Sequence, residues 1–135
     1  MSSVIASIDE TSFRSLRGQS AAAGVLTSAL TAGRVPHAYL FAGLDGVGKK
    51  MAFLKWSQAL LCEAPLGPAL ACEECNACRR AGAGRHPDVF KTDFETQALL
   101  LEETVEKQKT LKIDTVREME KALRLKPLEG RVKIA

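Results

Sequence analysis

The sequence predicts an α/β layered fold built on a parallel sheet. Two observations carry that prediction. Segments of helical period alternate with short apolar runs bounded by Pro and Gly, and a glycine-punctuated loop falls between one such run and the helix pattern after it. The expected order is helix, strand, Gly loop, helix, Cys module, strand, helix, strand.

Residues 2–12 are small and polar with Val4, Ile5 and Ile8 among them, and read as a leader or short helix. After Gly18-Gln19, the residues Ala22, Val25, Leu26, Ala29 and Leu30 recur at spacings of three and four, one face of an amphipathic helix that Gly33 stops. Ala38-Tyr39-Leu40-Phe41-Ala42, between Pro36 and Gly43, reads as a buried strand. The helical period returns at Lys49, with Ala52, Phe53, Trp56, Ala59 and Leu60 on a shared face and Trp56 in the core. The stretch from Cys62 to Gly84 is irregular, and Val89–Thr92 reads as a short strand after His86-Pro87-Asp88. Residues 95–110 are mostly charged and have no clear period, so an exposed insertion is expected there, with the mixed-sign run Glu102 to Lys109 facing solvent. A third helix is expected over about 114–125, with Val116, Met119 and Leu123 on one face and Thr115 with Glu118 as a capping box. Pro127 and Gly130 end it, and Arg131-Val132-Lys133-Ile134-Ala135 reads as the start of a buried strand, which suggests a piece of a longer chain.

A chain of 135 residues, 46% hydrophobic and 26% charged, is one ordinary globular domain, large enough to fold without disulfides. Neither disorder nor a fibrous repeat fits. There is no run of about 18 consecutive apolar residues, and the N-terminal residues lack the basic and apolar segments of a secretory signal, so the expected setting is the cytoplasm, away from membranes. A net charge of +3 permits contact with nucleic acid without arguing for it.

Gly43-Leu44-Asp45-Gly46-Val47-Gly48-Lys49-Lys50 matches the phosphate-loop pattern G-x-x-x-x-G-K-[ST] everywhere but its last position. Gly43, Gly46, Val47, Gly48, Lys49 and Lys50 are therefore the candidate nucleotide-binding residues. Glycines let backbone N–H groups turn toward a phosphate, the helix N-terminus adds positive partial charge, and Lys49 would reach the β and γ phosphates. A Ser or Thr hydroxyl at the last position would bind Mg²⁺. Lys50 cannot ligate a cation and would repel one. Three readings stay open: an inert loop kept for packing, ATP or ADP binding without turnover, and an active site. No residue is assigned as catalytic.

The cysteines Cys62, Cys72, Cys75 and Cys78 are all the cysteines of the chain. Four thiolates with no open position suit a structural zinc ion, and a redox pair and an iron–sulfur cluster remain as alternatives. Such a site would fold a loop too polar to fold alone. His37 is expected to be packed or hydrogen-bonded, and His86 is read as structural because four thiolates already saturate zinc.

The Gly-Gln before the first helix, Pro36-His37-Ala38-Tyr39-Leu40-Phe41-Ala42-Gly43, the phosphate loop and a four-cysteine module after its helix form a combination. It resembles the N-terminal AAA+ module of the bacterial DNA polymerase III clamp loader, in the gamma/tau and delta-prime group, from about Phe13 to Ala135. His86-Pro87-Asp88-Val89 followed by Lys112-Ile113-Asp114-Thr115-Val116-Arg117 is similar to the delta-prime pattern, and Lys50 departs from the Thr or Ser of the motor subunits. The resemblance implies a RecA-like αβα sandwich with a parallel sheet. Residues 1–135 would be the N-terminal part of the AAA+ domain, with the zinc module inserted at 62–84, and the acidic Walker B segment, lid and collar would lie beyond. It implies a largely non-catalytic subunit of a ring with delta and gamma/tau copies that loads the sliding clamp on primed DNA in the replisome, with little or no ATPase activity of its own. The alternatives are an active gamma/tau-type ATPase and, from a different class, a stand-alone zinc module that binds nucleic acid. An aromatic content of 5% makes a base-stacking platform a poor fit to the last.

Overall fold

The computed structural model describes residues 10–135. Most of the leader or short helix expected over 2–12 lies outside these residues. The chain divides into two compact units, one up to Ala83 and the other Gly84–Ala135.

In the first unit, α1 spans Ser20–Ala32, α2 Lys49–Leu61 and α3 Asn76–Gly82. Helix α1 stops where expected. Gly33 takes φ 67°, and the Gly33 and Arg34 amides bond back to the Leu30 and Ala29 carbonyls, which satisfies the open end of the helix. Of the face read from the sequence, Leu26, Ala29 and Leu30 pack on the core, but Ala22 and Val25 are exposed, Val25 by 59%, and Ala23 and Thr27 are inside instead. Ala-rich helices carry little directional signal, so the packing partner chooses the face. That partner is a core of Phe13, Leu16, Ala23, Leu26, Ala52 and Trp56, with Tyr39, Phe41, Leu30 and Leu60 at its margin. The rings of Trp56 and Tyr39 form a T-shaped pair with centroids 5.1 Å apart, and Trp56 lies 6.2 Å from Phe13, within the range of favourable ring contacts.

In the second unit, α4 spans Phe94–Leu101, a 3₁₀ turn Val105–Lys107, and α5 Ile113–Arg124. Two buried polar side chains organise it. Gln97 is fully buried and uses every hydrogen-bonding site: its amide nitrogen donates to Gln108 Oε1 (2.7 Å) and the Thr110 carbonyl (2.9 Å), and its oxygen accepts from Lys112 N (2.6 Å) and Thr115 Oγ1 (2.9 Å). Asp88 is the second, and its carboxylate accepts from the Leu128, Glu129 and Gly130 amides at 2.6, 2.9 and 2.6 Å.

The expected fold class is overturned. The described residues contain helices and no strand, hence no parallel sheet and no αβα sandwich. A strand exists only through its ladder partners, and no strand borders Ala38–Ala42, whose Leu40 is 92% exposed. Of the strands expected near 89–92 and 131–135, one parallel bridge forms, Val89 to Ile134, with Phe90 N donating to the Ile134 carbonyl and Ile134 N to the Asp88 carbonyl. A single bridge is too short to count as a strand.

Three smaller expectations also change. Residues 95–110 are mostly exposed, as expected, but they carry a helix and a 3₁₀ turn tied to a buried glutamine pair, Gln97 and Gln108. Helix α5 begins earlier, with Lys112 at its N-cap, so Thr115 lies inside and bonds Gln97 instead of capping, while Glu118 pairs with Lys121. His37 is exposed rather than packed. His86 is buried, with Nδ1 accepting from the Asp88 amide at 3.0 Å, in keeping with a structural role.

Candidate metal centre and glycine loop

The cysteine region is built by helix ends. Helix α2 delivers Cys62 at its C-cap, where the Cys62 amide still bonds the Gln58 carbonyl. Cys75 is the N-cap of α3, and its sulfur accepts from the Cys78 amide at 3.4 Å, so the first turn of α3 aims Cys78 inward. Gln58 Nε2 donates to the Cys78 carbonyl at 3.0 Å and ties α3 to α2. Ser12 closes the outside, accepting at Oγ from Ala71 N (2.8 Å) while its own amide donates to the Ala69 carbonyl (2.9 Å).

The result is a cluster in which all four sulfurs lie within 4.8 Å of one another. Cys62 and Cys72 sulfurs are 3.6 Å apart, and Cys72 and Cys78 sulfurs 4.0 Å. A disulfide needs about 2.05 Å, and none of the four is in one. Further amides point at sulfur: Cys72 N at Cys62 and Cys75 N at Cys72, both 3.3 Å. Burial pushes the Cys62 and Cys78 thiols up, the latter against a backbone hydrogen bond from Glu73. Burial also raises Cys75, but backbone hydrogen bonds from Glu63 and Cys78 and the neighbouring thiols outweigh it and bring Cys75 down to about 6. Sulfurs converging this closely, with amides aimed at them, form a group that can hold a metal ion.

The glycine loop runs into α2. Gly46 and Gly48 take φ 83° and 103°, a left-handed conformation that side chains resist, and Gly48 is the N-cap of α2. A cavity of about 180 Å³ is lined by Leu16, Phe41, Val47, Gly48, Lys49 and Ala52, among others. Small-molecule sites usually measure about 300–1,000 Å³, so this space is small for a nucleotide. The Lys49 ammonium is turned onto its own loop and donates to the Gly43 carbonyl at 2.7 Å. Lys50 does not line this cavity but a second groove with Met51, Leu54, Lys55, Gln58 and Gly82. Of the six loop candidates, Val47, Gly48 and Lys49 meet at one cavity, Gly43 restrains Lys49, Gly46 makes the turn, and Lys50 faces elsewhere.

One residue of the cysteine region escaped the sequence reading. Glu73 sits between two thiols at φ 62°, and its carboxylate bridges Lys55 (2.8 Å) and Arg14 (3.4 Å). No local pattern marks a single Glu whose partners lie 18 and 59 positions away.

Among the described residues, no helix is long and apolar enough to cross a membrane. Residues 18–135 match the family described as DNA polymerase III, delta subunit. The chain is 39% identical over 83 residues to DNA polymerase III subunit delta' of Pseudomonas aeruginosa, covering 62% of this chain and 22% of that protein. It is 33% identical over 98 residues to subunit delta' of Escherichia coli K12, covering 73% of this chain and 26% of that protein. It is 29% identical over 122 residues to subunit tau of the same organism, covering 90% of this chain and 17% of that protein. The chain thus spans about a quarter or less of the length of these relatives. The match over residues 18–135 shows that the chain belongs to the DNA polymerase III delta-subunit family.

Proposed function

We propose that the chain serves in a delta-prime-type subunit of the clamp loader, which sets the sliding clamp on primed DNA beside delta and gamma/tau subunits in the cytoplasm. In this reading it is a scaffold with no ATP turnover of its own. Zinc on Cys62, Cys72, Cys75 and Cys78 folds residues 62–84 as a module inserted in the N-terminal part of the subunit.

The observation that carries the non-catalytic reading is Lys50 at the position where a phosphate loop presents its Mg²⁺-binding hydroxyl. The Lys49 contact with Gly43 and the small cavity add support, since a bound nucleotide would have to displace the first with its phosphates and enlarge the second. For zinc, the support is the spacing of the sulfurs. Bonds of about 2.3 Å in a tetrahedron put sulfurs about 3.8 Å apart, and the 3.6 and 4.0 Å separations bracket that value. When bound, zinc supplies a fixed tetrahedral cross-link. The chain's own amides then hold the thiolates in their charged form.

A second reading, a gamma/tau-type ATPase, is favoured by the long stretch shared with the tau subunit. Equilibrium binding of a fluorescent ATP analogue, with and without Mg²⁺, separates the two. The scaffold reading expects no Mg²⁺-dependent binding by the unaltered chain and its appearance in Lys50→Thr. Binding and turnover by the unaltered chain that vanish in Lys49→Ala would establish the ATPase instead.

A further inference from the structure

Glu73 occupies a backbone conformation that favours glycine, yet it is not glycine. A non-Gly residue at φ 62° is held there only when its surroundings over-determine it. The surroundings are specific. Lys55, midway along α2, meets Glu73 Oε1 at 2.8 Å, and Arg14 meets Oε2 at 3.4 Å. Each pair is partly exposed and by itself would contribute little, but both act on one carboxylate located between Cys72 and Cys75. The turn they maintain sits between two amides aimed at sulfur, Cys72 N at Cys62 and Cys75 N at Cys72. Without that turn, Cys72 and Cys75 would lose their mutual placement, because Ser12 and Cys62 hold only the Cys72 side of the cluster and Gln58 only the α3 side.

We infer that Glu73, clamped by Lys55 and Arg14, is a positioning residue for the metal centre: it preorganises the Cys72–Cys75 turn so that the four sulfurs converge before an ion arrives. The inference rests on the metal reading proposed above. Partners outside the ligand set that orient ligands commonly change metal affinity by about 10–100-fold. A half-exposed clamp belongs at the low end of that range.

The opposing effect is electrostatic. A zinc ion with four thiolates carries net negative charge, and a nearby carboxylate disfavours it. The two cations that Glu73 recruits offset this, so the ordering of the turn is expected to win.

The test is zinc transfer from the loaded chain to a chromogenic chelator, with bound zinc counted by elemental analysis. Unaltered chain should hold one zinc per chain. Glu73→Gln, which preserves shape, and Glu73→Gly, which suits the left-handed turn, should each still take up zinc but lose it about 10-fold faster. Lys55→Met should speed the loss in the same direction, and combining it with Glu73→Gln should add nothing further, because Glu73→Gln already breaks the pair that Lys55 makes. Loss rates equal to or slower than the unaltered chain's in both Glu73 variants would overturn the inference and leave the zinc reading intact. Unaltered chain that takes up no zinc would overturn both.

Discussion

The cysteine region, residues 62–82, and the segment 84–134 are both organised by buried polar atoms, but by opposite means. In the first, four thiols of one kind converge on a common point, and most of their partners are a few residues away. In the second, single residues act as hubs across long separations: Asp88 reaches 40 to 42 positions forward, and Gln97 ties α4 to the start of α5. A thiol cluster has few chemical uses, so its spacing announces it. A glutamine or aspartate has many, and only its surroundings select one.

Removing the convergence point should have the largest effect. Structural zinc is worth about 10–16 kcal/mol in small zinc-binding peptides. Cys78→Ser, or chelation of the unaltered chain, should therefore unfold residues 62–82, seen as new protease cleavage there and loss of one zinc per chain. Unchanged cleavage after chelation would mean that the Ser12 and Gln58 contacts hold the region without metal.

The next effect is at Asp88. Three amide hydrogen bonds to a buried carboxylate outweigh its desolvation and hold its pKa below the usual value of 3.8. The group is depressed in the fold, so its stabilisation is fully present above the unfolded value and is lost as pH falls through the folded one. Asp93, held down to about 2 despite partial burial by Lys91 and the Thr96 backbone and hydroxyl, acts in the same window. Stability in urea should fall progressively below about pH 4. Asp88→Asn should lower it by about 2–3 kcal/mol at neutral pH and flatten that acid limb. An unchanged limb would assign the acid sensitivity to other carboxylates.

Gln97→Leu tests the other hub. It leaves the Lys112 amide and the Thr115 hydroxyl without their shared acceptor, at a cost of about 1–3 kcal/mol. Hydrogen exchange should speed up at the first turn of α5 while the cysteine region keeps its protection. Acceleration in both would show that the two regions are not independently organised. The smallest effect is expected at the N-cap of α4, where Asp93 Oδ1 accepts from both the amide and the hydroxyl of Thr96 at 2.8 Å. Asp93→Ala should cost about 1 kcal/mol and shift the urea midpoint without changing its slope.

These contrasts explain what could be read in advance. Helices α1 and α2 were legible because Gly33, Gly48 and a recurring apolar spacing are local signals. Their buried faces were less so: in α1 the choice between Val25 and Ala23 depends on where Phe13 and Trp56 lie. The Thr115–Glu118 capping box failed because α5 starts at Ile113, which puts Thr115 inside the helix, where its hydroxyl donates to Gln97 Oε1. The loop pattern marked the glycine-punctuated turn before α2 but not the direction of the lysines, because Lys49 found a carbonyl within its own loop and Lys50 lines a groove with Leu54, Gln58 and Gly82.

The sequence by itself determined the features whose chemistry or period leaves little choice: a group of four thiols suited to one shared metal, a glycine-punctuated loop before a helix, and the helices α1, α2 and α5. Tertiary structure decided what depends on distant neighbours. It left Ala38–Ala42 without a ladder, because a strand needs a second strand to bond. It also set Asp88 and Gln97 as hubs, because a buried polar group is stable only where the folded chain brings enough partners to satisfy it.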